Sequence, residues 1–273
     1  MRQLFVLILS ILSLPSYCQV SSLVSENGKI ECIYRLVYRL DSADQTSRSE
    51  LMSLLIGNNI SRFRSKIMLS NDSLLTESEG KPFNQANVQI FAGKLNKLPN
   101  TLFRYYIYKK LSNKTIDFYS KIGGKLYSYS EPQNIFVWKI TSATATIAGY
   151  KCQKATTSFA GRIFEAWFTR DIPISDGPYK FCGLPGLIIS VSDTKHYYSF
   201  DLIKLTELKT VVPIVVPIKN VVNTNKKDFR QGELVNEAGM LDRVAAMGNN
   251  ITDADRQAFK ERIKKRNNPI ELK

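Results

Sequence analysis

The sequence predicts a mainly β protein, in which a curved antiparallel sheet or incomplete barrel precedes a helical C-terminal segment. Two observations carry this prediction. Before about residue 225, short runs rich in aromatic and β-branched residues are separated by turn signals. After that point the apolar residues recur at helical spacing instead. We therefore divide the chain into residues 1–18, an antiparallel β domain over 19–225 and a helical segment over 226–273.

Residues 1–18 are expected to form a secretory signal peptide. Arg2 precedes an apolar run over 4–14, and Ser16 and Cys18 suit the small-residue positions of a signal-peptidase site. The run is shorter than the roughly 18–20 residues that cross a membrane, and no later run reaches that length. We therefore expect an exported protein of the periplasm, cell envelope or extracellular space, with no transmembrane segment in its mature chain. An alternative is a lipoprotein acylated on Cys18, although Tyr17 is bulky for that signal.

The β domain is expected to contain short strands joined by tight turns. Predicted strands cover residues 29–40, 59–69, 101–108, 125–130, 135–141, 147–157, 163–169, 187–192 and 197–205. Turn signals that each contain Gly fall at 57–59, 123–124, 160–161 and 176–178. Because no helical pattern alternates with these strands, a parallel α/β sheet is not expected.

Two helices are predicted in the C-terminal segment. The first places four apolar residues on one face, namely Leu234, Ala238, Leu241 and Ala245. The second begins at Thr252 as N-cap, with acidic residues in its first turn and basic residues over 262–266. Its basic end fits the helix dipole, and Pro269 should terminate the helical region.

Three cysteines remain after removal of the signal peptide, and an odd number in an oxidising compartment permits one pair or none. We expect a disulfide between Cys152 and Cys182, because these two residues flank the most distinctive part of the chain. Cys32 lies in an apolar run, which is typical of a small buried residue.

The most distinctive stretch is 166–189, where aromatic and apolar runs are broken by turns that contain Pro. Within it, Leu184-Pro185-Gly186-Leu187 predicts a type II turn, since Pro suits the second position and Gly the third. Gly183 and Gly186 could also allow another backbone or a ligand to approach closely.

Residues 181–188, Phe-Cys-Gly-Leu-Pro-Gly-Leu-Ile, resemble the signature of the GLPGLI family of exported Bacteroidetes proteins. Further resemblances lie at 55–57, 61–63, 147–155, 161–162, 166–169, 172–173, 177–178 and 268–272. The resemblance thus extends over nearly the whole mature chain. It implies export and lineage but no reaction, because the family has no settled biochemical function.

No catalytic residue, metal site or cofactor is predicted. The chain has one histidine, His196, without further ligands at zinc-binding spacing, and it lacks nucleotide-binding and nucleophile-elbow motifs. Two catalytic alternatives stay open, a Cys182–His196 pair and a cluster of Asp171, Asp176 and Asp193.

Aromatic residues near the signature indicate a binding role instead. The candidate ligand or partner site comprises Trp167, Tyr179, Phe181, Gly183, Leu184, Pro185 and Gly186. A curved sheet lined by such side chains could enclose an apolar ligand, although core packing would explain them as well. The net charge of +14, in an exported protein, favours anionic lipid or an acidic envelope protein as partner, and not nucleic acid.

The sequence therefore favours a non-enzymatic envelope protein that binds an apolar ligand or an envelope partner. The alternatives are a structural or accessory subunit of an envelope complex and, third, an envelope hydrolase that uses Asp or Cys182.

Overall fold

The computed structural model describes residues 24–70, 89–90, 93–94, 100–248 and 250–272. Its strands are β1 (Val24–Tyr38), β2 (Arg48–Ile56), β3 (Ile60–Ser65), β4 (Tyr105–Lys110), β5 (Thr115–Ile122), β6 (Lys125–Pro132), β7 (Lys139–Ile147), β8 (Tyr150–Phe159), β9 (Arg162–Thr169), β10 (Leu187–Asp193), β11 (Tyr198–Val216) and β12 (Val221–Asn223). Its C-terminal helices are α1 (Lys226–Ala238), α2 (Met240–Ala246) and α3 (Asp253–Lys264), and a 3-10 turn covers Gln133–Ile135.

The strands form one open sheet in the order β12-β6-β5-β4-β3-β2-β1-β11-β10-β9-β8-β7. Neighbouring strands are antiparallel, except that β12 runs parallel to β6. Within the described part of the chain, the edge strands β12 and β7 do not pair with each other. The predicted fold class, a mainly β open sheet with C-terminal helices, is confirmed, with the correction that one strand pair is parallel.

Three of the four predicted turns join neighbouring strands. The turns at 57–59, 123–124 and 160–161 connect β2 to β3, β5 to β6 and β8 to β9. The fourth, at 176–178, lies in a buried irregular segment between β9 and β10. The sequence prediction missed β2, β5 and the short β12. Strand β2 is rich in Leu, Met, Ser and Glu, which fit a helix as readily as a strand, and pairing with β1 and β3 places it in the sheet.

The main hydrophobic core covers one face of the sheet, which we call the inner face. Its largest fully buried apolar side chains include Tyr34, Phe63, Phe164, Phe168, Phe181 and Phe200. Helix α1 also contributes to this core through Phe229, whose ring centroid lies 5.5 Å from that of Phe118 and 5.2 Å from that of Tyr129. The first turns of α1 are thereby attached to β5 and β6.

A second, smaller core lies on the outer face, where β1 and the end of β11 cross the sheet. The β1–β11 register shifts between Gly28 and Ile30, and a side chain at Gly28 would collide with Leu55 of β2. Tyr108 of β4 donates a hydrogen bond from its Oη to the carbonyl of Val215 at 2.7 Å. The glycine therefore permits the close crossing that buries this outer core.

The C-terminal segment contains three helices, where two were predicted. Gly239 separates α1 from α2, and Leu234, expected on a buried face, is 62% exposed. The prediction for the last helix is confirmed at its start, where Thr252 and Asp255 form a reciprocal capping box. Helix α3 ends at Lys264, and residues 265–272 continue as a non-helical tail.

The expected disulfide is not formed, because Cys32, Cys152 and Cys182 are each free and buried. Cys152 lies on β8 and lines a cleft beside β7. Cys182 instead lies in the irregular segment and lines a different cleft. The two thiols thus face separate regions of the molecule, although they are close to the same motif in the sequence.

Within the described part of the chain, no helix combines the length and the apolar composition needed to cross a membrane. The predicted signal peptide and the alternative acylation site at Cys18 lie outside the described residues.

Candidate functional site

The central feature of the inner face is the segment 170–186, which we call the motif segment. It leaves the sheet after Thr169 of β9 and returns at Leu187 of β10, and these two residues are paired across the strands. Between them the chain turns into the core, where Tyr179 and Phe181 are buried among aromatic rings. A connection buried in this way must satisfy its backbone polar groups inside the protein.

The signature at the end of the motif segment forms a tighter turn than predicted. The amide of Gly186 donates to the carbonyl of Leu184 at 2.8 Å, and the amide of Leu187 donates to Ile172 at 3.0 Å. The predicted type II turn is therefore wrong, because that turn would direct the Leu187 amide to Leu184. Pro185 instead occupies the centre of a three-residue turn, whose φ suits proline.

Position 186 requires glycine, because the backbone of Thr169 lies too close for a side chain. The φ of Gly186 is +155°, and a Cβ atom at this position would overlap the carbonyl group of Thr169. The expectation that the signature glycines allow another backbone to approach is confirmed for Gly186. Gly183 differs, since a Cβ atom there would only touch the ring of Trp138 at 3.8 Å.

A buried lysine on β4 satisfies the carbonyl groups of the motif segment. Lys109 Nζ donates to the carbonyls of Gly177 at 2.5 Å, Tyr179 at 3.1 Å and Phe181 at 3.4 Å. It also forms a 2.5 Å ion pair with Asp176 Oδ1, and its side chain is 3% exposed. One ammonium group thus pairs with the charge of Asp176 and satisfies three carbonyl groups of an irregular backbone.

A second buried lysine connects the motif segment to the sheet and the C-terminal tail. Lys180 is fully buried, and its Nζ lies 2.5 Å from Glu131 and 2.7 Å from Glu271. It also donates to Tyr129 Oη at 3.0 Å and lies over the rings of Phe118 and Tyr129. Its charge is therefore paired, as a buried ammonium requires.

Glu271 brings the C-terminal tail into this network. Lys226 and Arg230, one turn apart on α1, lie 2.7 Å and 3.0 Å from Glu271, and Tyr179 Oη donates to it at 2.6 Å. Burial would raise the pKa of Glu271, but the adjacent Lys180 and Lys226 outweigh it and lower this pKa to about 2. The carboxylate therefore remains charged inside the protein.

Arg162 on β9 holds the rest of the tail. Its guanidinium donates to Asn268 Oδ1 at 2.5 Å and to the carbonyls of Pro269 at 2.6 Å and Ile270 at 3.1 Å. It also lies 3.4 Å from Asp193. The tail and the motif segment, which are distant in sequence, are thus joined to the same core.

In the part of the chain that the structure describes, the predicted binding residues differ in burial, and none of them lines the cleft beside β7 or the cleft that contains Cys182. Tyr179, Phe181 and Leu184 are buried in the core, whereas Gly183 and Pro185 are exposed. Along β9 the buried Phe164, Ala166 and Phe168 alternate with the half-buried Trp167, so Trp167 faces the opposite side of the strand. The aromatic side chains near the signature therefore serve mainly as core packing.

A cleft does lie beside the motif segment, where residues 173–176 face the ends of β2, β3 and β4. Its volume is about 480 Å³. Apolar side chains form most of its walls, namely Ile30, Ile56, Ile60, Leu111, Pro173 and Ile174. The polar residues Ser61, Lys109, Asp176 and Cys182 also line it and are buried, whereas Lys29 and Asn58 are exposed at its rim.

The catalytic alternatives are not brought together. Burial raises the pKa of Cys182 to about 12, so the nucleophilic thiolate is scarce near neutral pH. His196 lies in the turn between β10 and β11 and does not line the Cys182 cleft. The three aspartates are separated, since Asp171 lines the cleft beside β7, Asp176 binds Lys109 and Asp193 contacts Arg162.

Within the described residues, no group of three or more His, Cys, Asp or Glu side chains is placed to hold a metal ion.

Sequence reasoning missed Ser61, Lys109, Lys180 and Glu271 as site residues. The available signal was a charged residue inside an apolar pattern, as at Lys180 between Tyr179 and Phe181. Such a residue is either exposed by alternation or buried with a partner, and sequence alone does not identify the partner.

The comparisons with known proteins agree with the fold and leave the activity open. Residues 160–190, which include β9 and the motif segment, match a family described as "Protein of unknown function (Porph_ging)". No curated protein shows significant similarity to this chain.

Two structures of PNGF-II, in space groups P21 and C2, are similar to this chain with a TM-score of 0.50. Each similarity covers 76% of this chain at 13% identity. The chain spans about a third of PNGF-II, since 33% of that protein is covered. At this identity the similarity shows a shared fold.

Proposed function

We propose that this chain is an exported, non-enzymatic protein of the cell envelope that binds an apolar ligand in the cleft beside the motif segment. We further propose that it is a GLPGLI family protein. The family match at 160–190 and the signature at 181–188 support this assignment. The predicted signal peptide supports export.

The observation that carries the proposed function is the cleft itself. Its volume of about 480 Å³ lies in the range of small-molecule sites, and its walls combine a largely apolar surface with polar residues that include Ser61, Lys109, Gln133, Ser175 and Asp176. We therefore propose the ligand site beside the motif segment, and not among the aromatic residues that the sequence suggested.

Binding of the neutral dye Nile red tests this proposal. Ile174→Trp should fill the cleft and weaken dye binding at least about tenfold, because the apolar volume is lost. Val137→Trp is the matched control, since Val137 is 74% exposed and does not line the cleft. Equal dye binding by both variants and the wild type would contradict the proposed site.

A second candidate is an accessory protein that binds an extended, acidic strand of an envelope partner at β7. Each residue of β7 is exposed or half-buried, and in the described part of the chain the strand pairs only with β8. An unpaired edge can accept a further strand, and the exposed Lys139 and Lys151 on this hairpin favour acidic side chains. A photocrosslinker at Thr144 should then capture one dominant envelope protein, and a control crosslinker at Ser158 should not.

A further inference from the structure

We propose that the ligand of the cleft is a neutral amphiphile whose hydroxyl group is bound by Ser61 and Asp176. This inference rests on the proposed function and adds the chemical class of the ligand and the groups that recognise it. The apolar part of the ligand lies against the isoleucine side chains of the cleft, and its hydroxyl group reaches the buried polar residues.

Strand register explains how polar and apolar groups meet in this cleft. Ile30 pairs with Ile56, Ile56 with Ser61 and Ser61 with Lys109, so these four residues form one row across β1 to β4. Paired residues share a face of the sheet, and all four line the cleft. The row therefore changes from apolar at Ile30 and Ile56 to polar at Ser61 and Lys109.

Ser61 has an unused hydrogen-bonding group at this point. The residue is 3% exposed, and its Oγ has no hydrogen-bond partner within the described part of the chain. A buried hydroxyl without a partner is costly, and native proteins seldom retain one. A hydroxyl can both donate and accept, so a ligand hydroxyl is a suitable partner.

Asp176 supplies the second polar contact. Its Oδ1 is occupied by Lys109 at 2.5 Å and by the Gly177 amide at 2.7 Å. Neither contact uses Asp176 Oδ2, and we infer that this oxygen accepts from the ligand. Because Ser61 and Asp176 line the same cleft, the proposed ligand hydroxyl accepts from Ser61 and donates to this oxygen.

The charge of the site favours a neutral ligand. Lys109 and Asp176 form a closed ion pair, and the carbonyls of the motif segment occupy the remaining directions of the ammonium group. A ligand carboxylate would meet the Asp176 carboxylate, and a ligand ammonium would lie close to Lys109. Either charge would also lose its hydration in an apolar cleft.

The test compares 1-decanol, decane and decanoate as competitors for Nile red on the folded protein. Wild type should bind 1-decanol about tenfold more tightly than decane or decanoate. Ser61→Ala should weaken 1-decanol binding about 3–10-fold and leave decane binding unchanged. Ser61→Leu, which fills the cleft, should weaken both by at least about tenfold.

Thr157→Val is the matched control for removal of a hydroxyl. Thr157 is also buried, and its Oγ1 has no hydrogen-bond partner among the described residues, but it lies on β8 and does not line the cleft. The affinity of Thr157→Val for 1-decanol should stay within about twofold of the wild-type affinity. Loss of a hydrogen bond to the ligand would weaken binding by more than that.

The outcomes separate the two proposals. If Ser61→Leu blocks decane and decanol while Ser61→Ala changes neither, the cleft binds apolar ligands and the hydroxyl inference is overturned. Tighter binding of decanoate than of decanol would also overturn it. If no competitor displaces the dye and Ile174→Trp leaves dye binding unchanged, the proposed function fails as well.

Discussion

Gly186 lies so close to the carbonyl of Thr169 that even a methyl side chain would overlap it. The same signature contains Gly183, which also has a positive φ but has room for a Cβ atom. The two glycines therefore have different physical roles. One permits backbone contact between the motif segment and β9, and the other only relieves local backbone strain.

Gly186→Ala is expected to destabilise the protein by at least about 2 kcal/mol, because the backbone of β9 or the motif segment must move. Gly183→Ala is the control and should lower the free energy of unfolding by about 1 kcal/mol, because the positive φ of this residue alone disfavours alanine. Urea denaturation measures both changes. Equal destabilisation by the two substitutions would show that the overlap with Thr169 is relieved at no cost.

Glu271 makes the stability depend on acid pH. Its pKa is about 2 in the folded protein and 4.5 in the reference state, so its stabilising effect is complete above about pH 5 and declines as the pH falls towards 2. Glu271→Gln should lower the free energy of unfolding by roughly 3–5 kcal/mol at neutral pH, because Lys180 loses a buried partner.

The pH profile distinguishes this charge effect from lost packing. Wild type should lose stability relative to Glu271→Gln between about pH 5 and pH 2, so the difference between them narrows. Asp253→Asn on the surface of α3 is the control and should retain the wild-type profile. A constant difference between wild type and Glu271→Gln across this range would contradict the assigned pKa.

The motif segment is an element without regular secondary structure that is nevertheless buried. Lys109 satisfies its carbonyls, Lys180 joins it to β6, and the C-terminal tail contacts it through Glu271. The motif segment, β4, β6 and the C-terminal tail are distant in sequence, but each contributes contacts that stabilise the others. Asn268 and Glu271 of the tail are buried in the core, although they follow the helices.

Lys109→Met tests the anchoring of this element. We expect a loss of roughly 3–5 kcal/mol, since Asp176 would be left as an unpaired buried charge and several carbonyls would lose their donor. Lys109→Met combined with Asp176→Asn should recover part of that loss. Lys121→Met, at an exposed position of β5, should change the free energy of unfolding by less than about 0.5 kcal/mol.

The sequence predicted elements with strong local signals and missed those set by tertiary context. The helix start at Thr252 and the turn at 123–124 depend on neighbouring residues alone, and both were predicted correctly. Strand β2 has no clear β pattern, and only its pairing with β1 and β3 places it in the sheet. The Cys152–Cys182 pairing failed because proximity to one motif in sequence does not imply contact in space.

In the candidate site, too, local sequence signals predicted less than the tertiary context determines. The signature was recognised from sequence, but its aromatic residues pack in the core and the cleft lies beside them. Ser61 becomes significant only through its register with Ile56 and Lys109 and its missing partner. Register and hydrogen-bond satisfaction are properties of the folded sheet, and neither can be read from the residue type.

In the part of the molecule that the structure describes, the open sheet has a filled inner face, and a cleft lies at the end of β2, β3 and β4. The motif segment forms one side of this cleft and is itself held by two buried lysines. The cleft wall is therefore expected to be rigid, because charged hydrogen bonds hold the motif segment in place.

Native mass spectrometry of the mature protein, isolated gently from its own envelope, tests the proposed function most directly. The wild type should carry a discrete added mass in the range of a neutral lipid or similar amphiphile, and Ile174→Trp should lack it. Val137→Trp should retain it. A bare wild-type protein, or one bound instead to a second polypeptide, would contradict ligand binding in the cleft and favour the accessory role at β7.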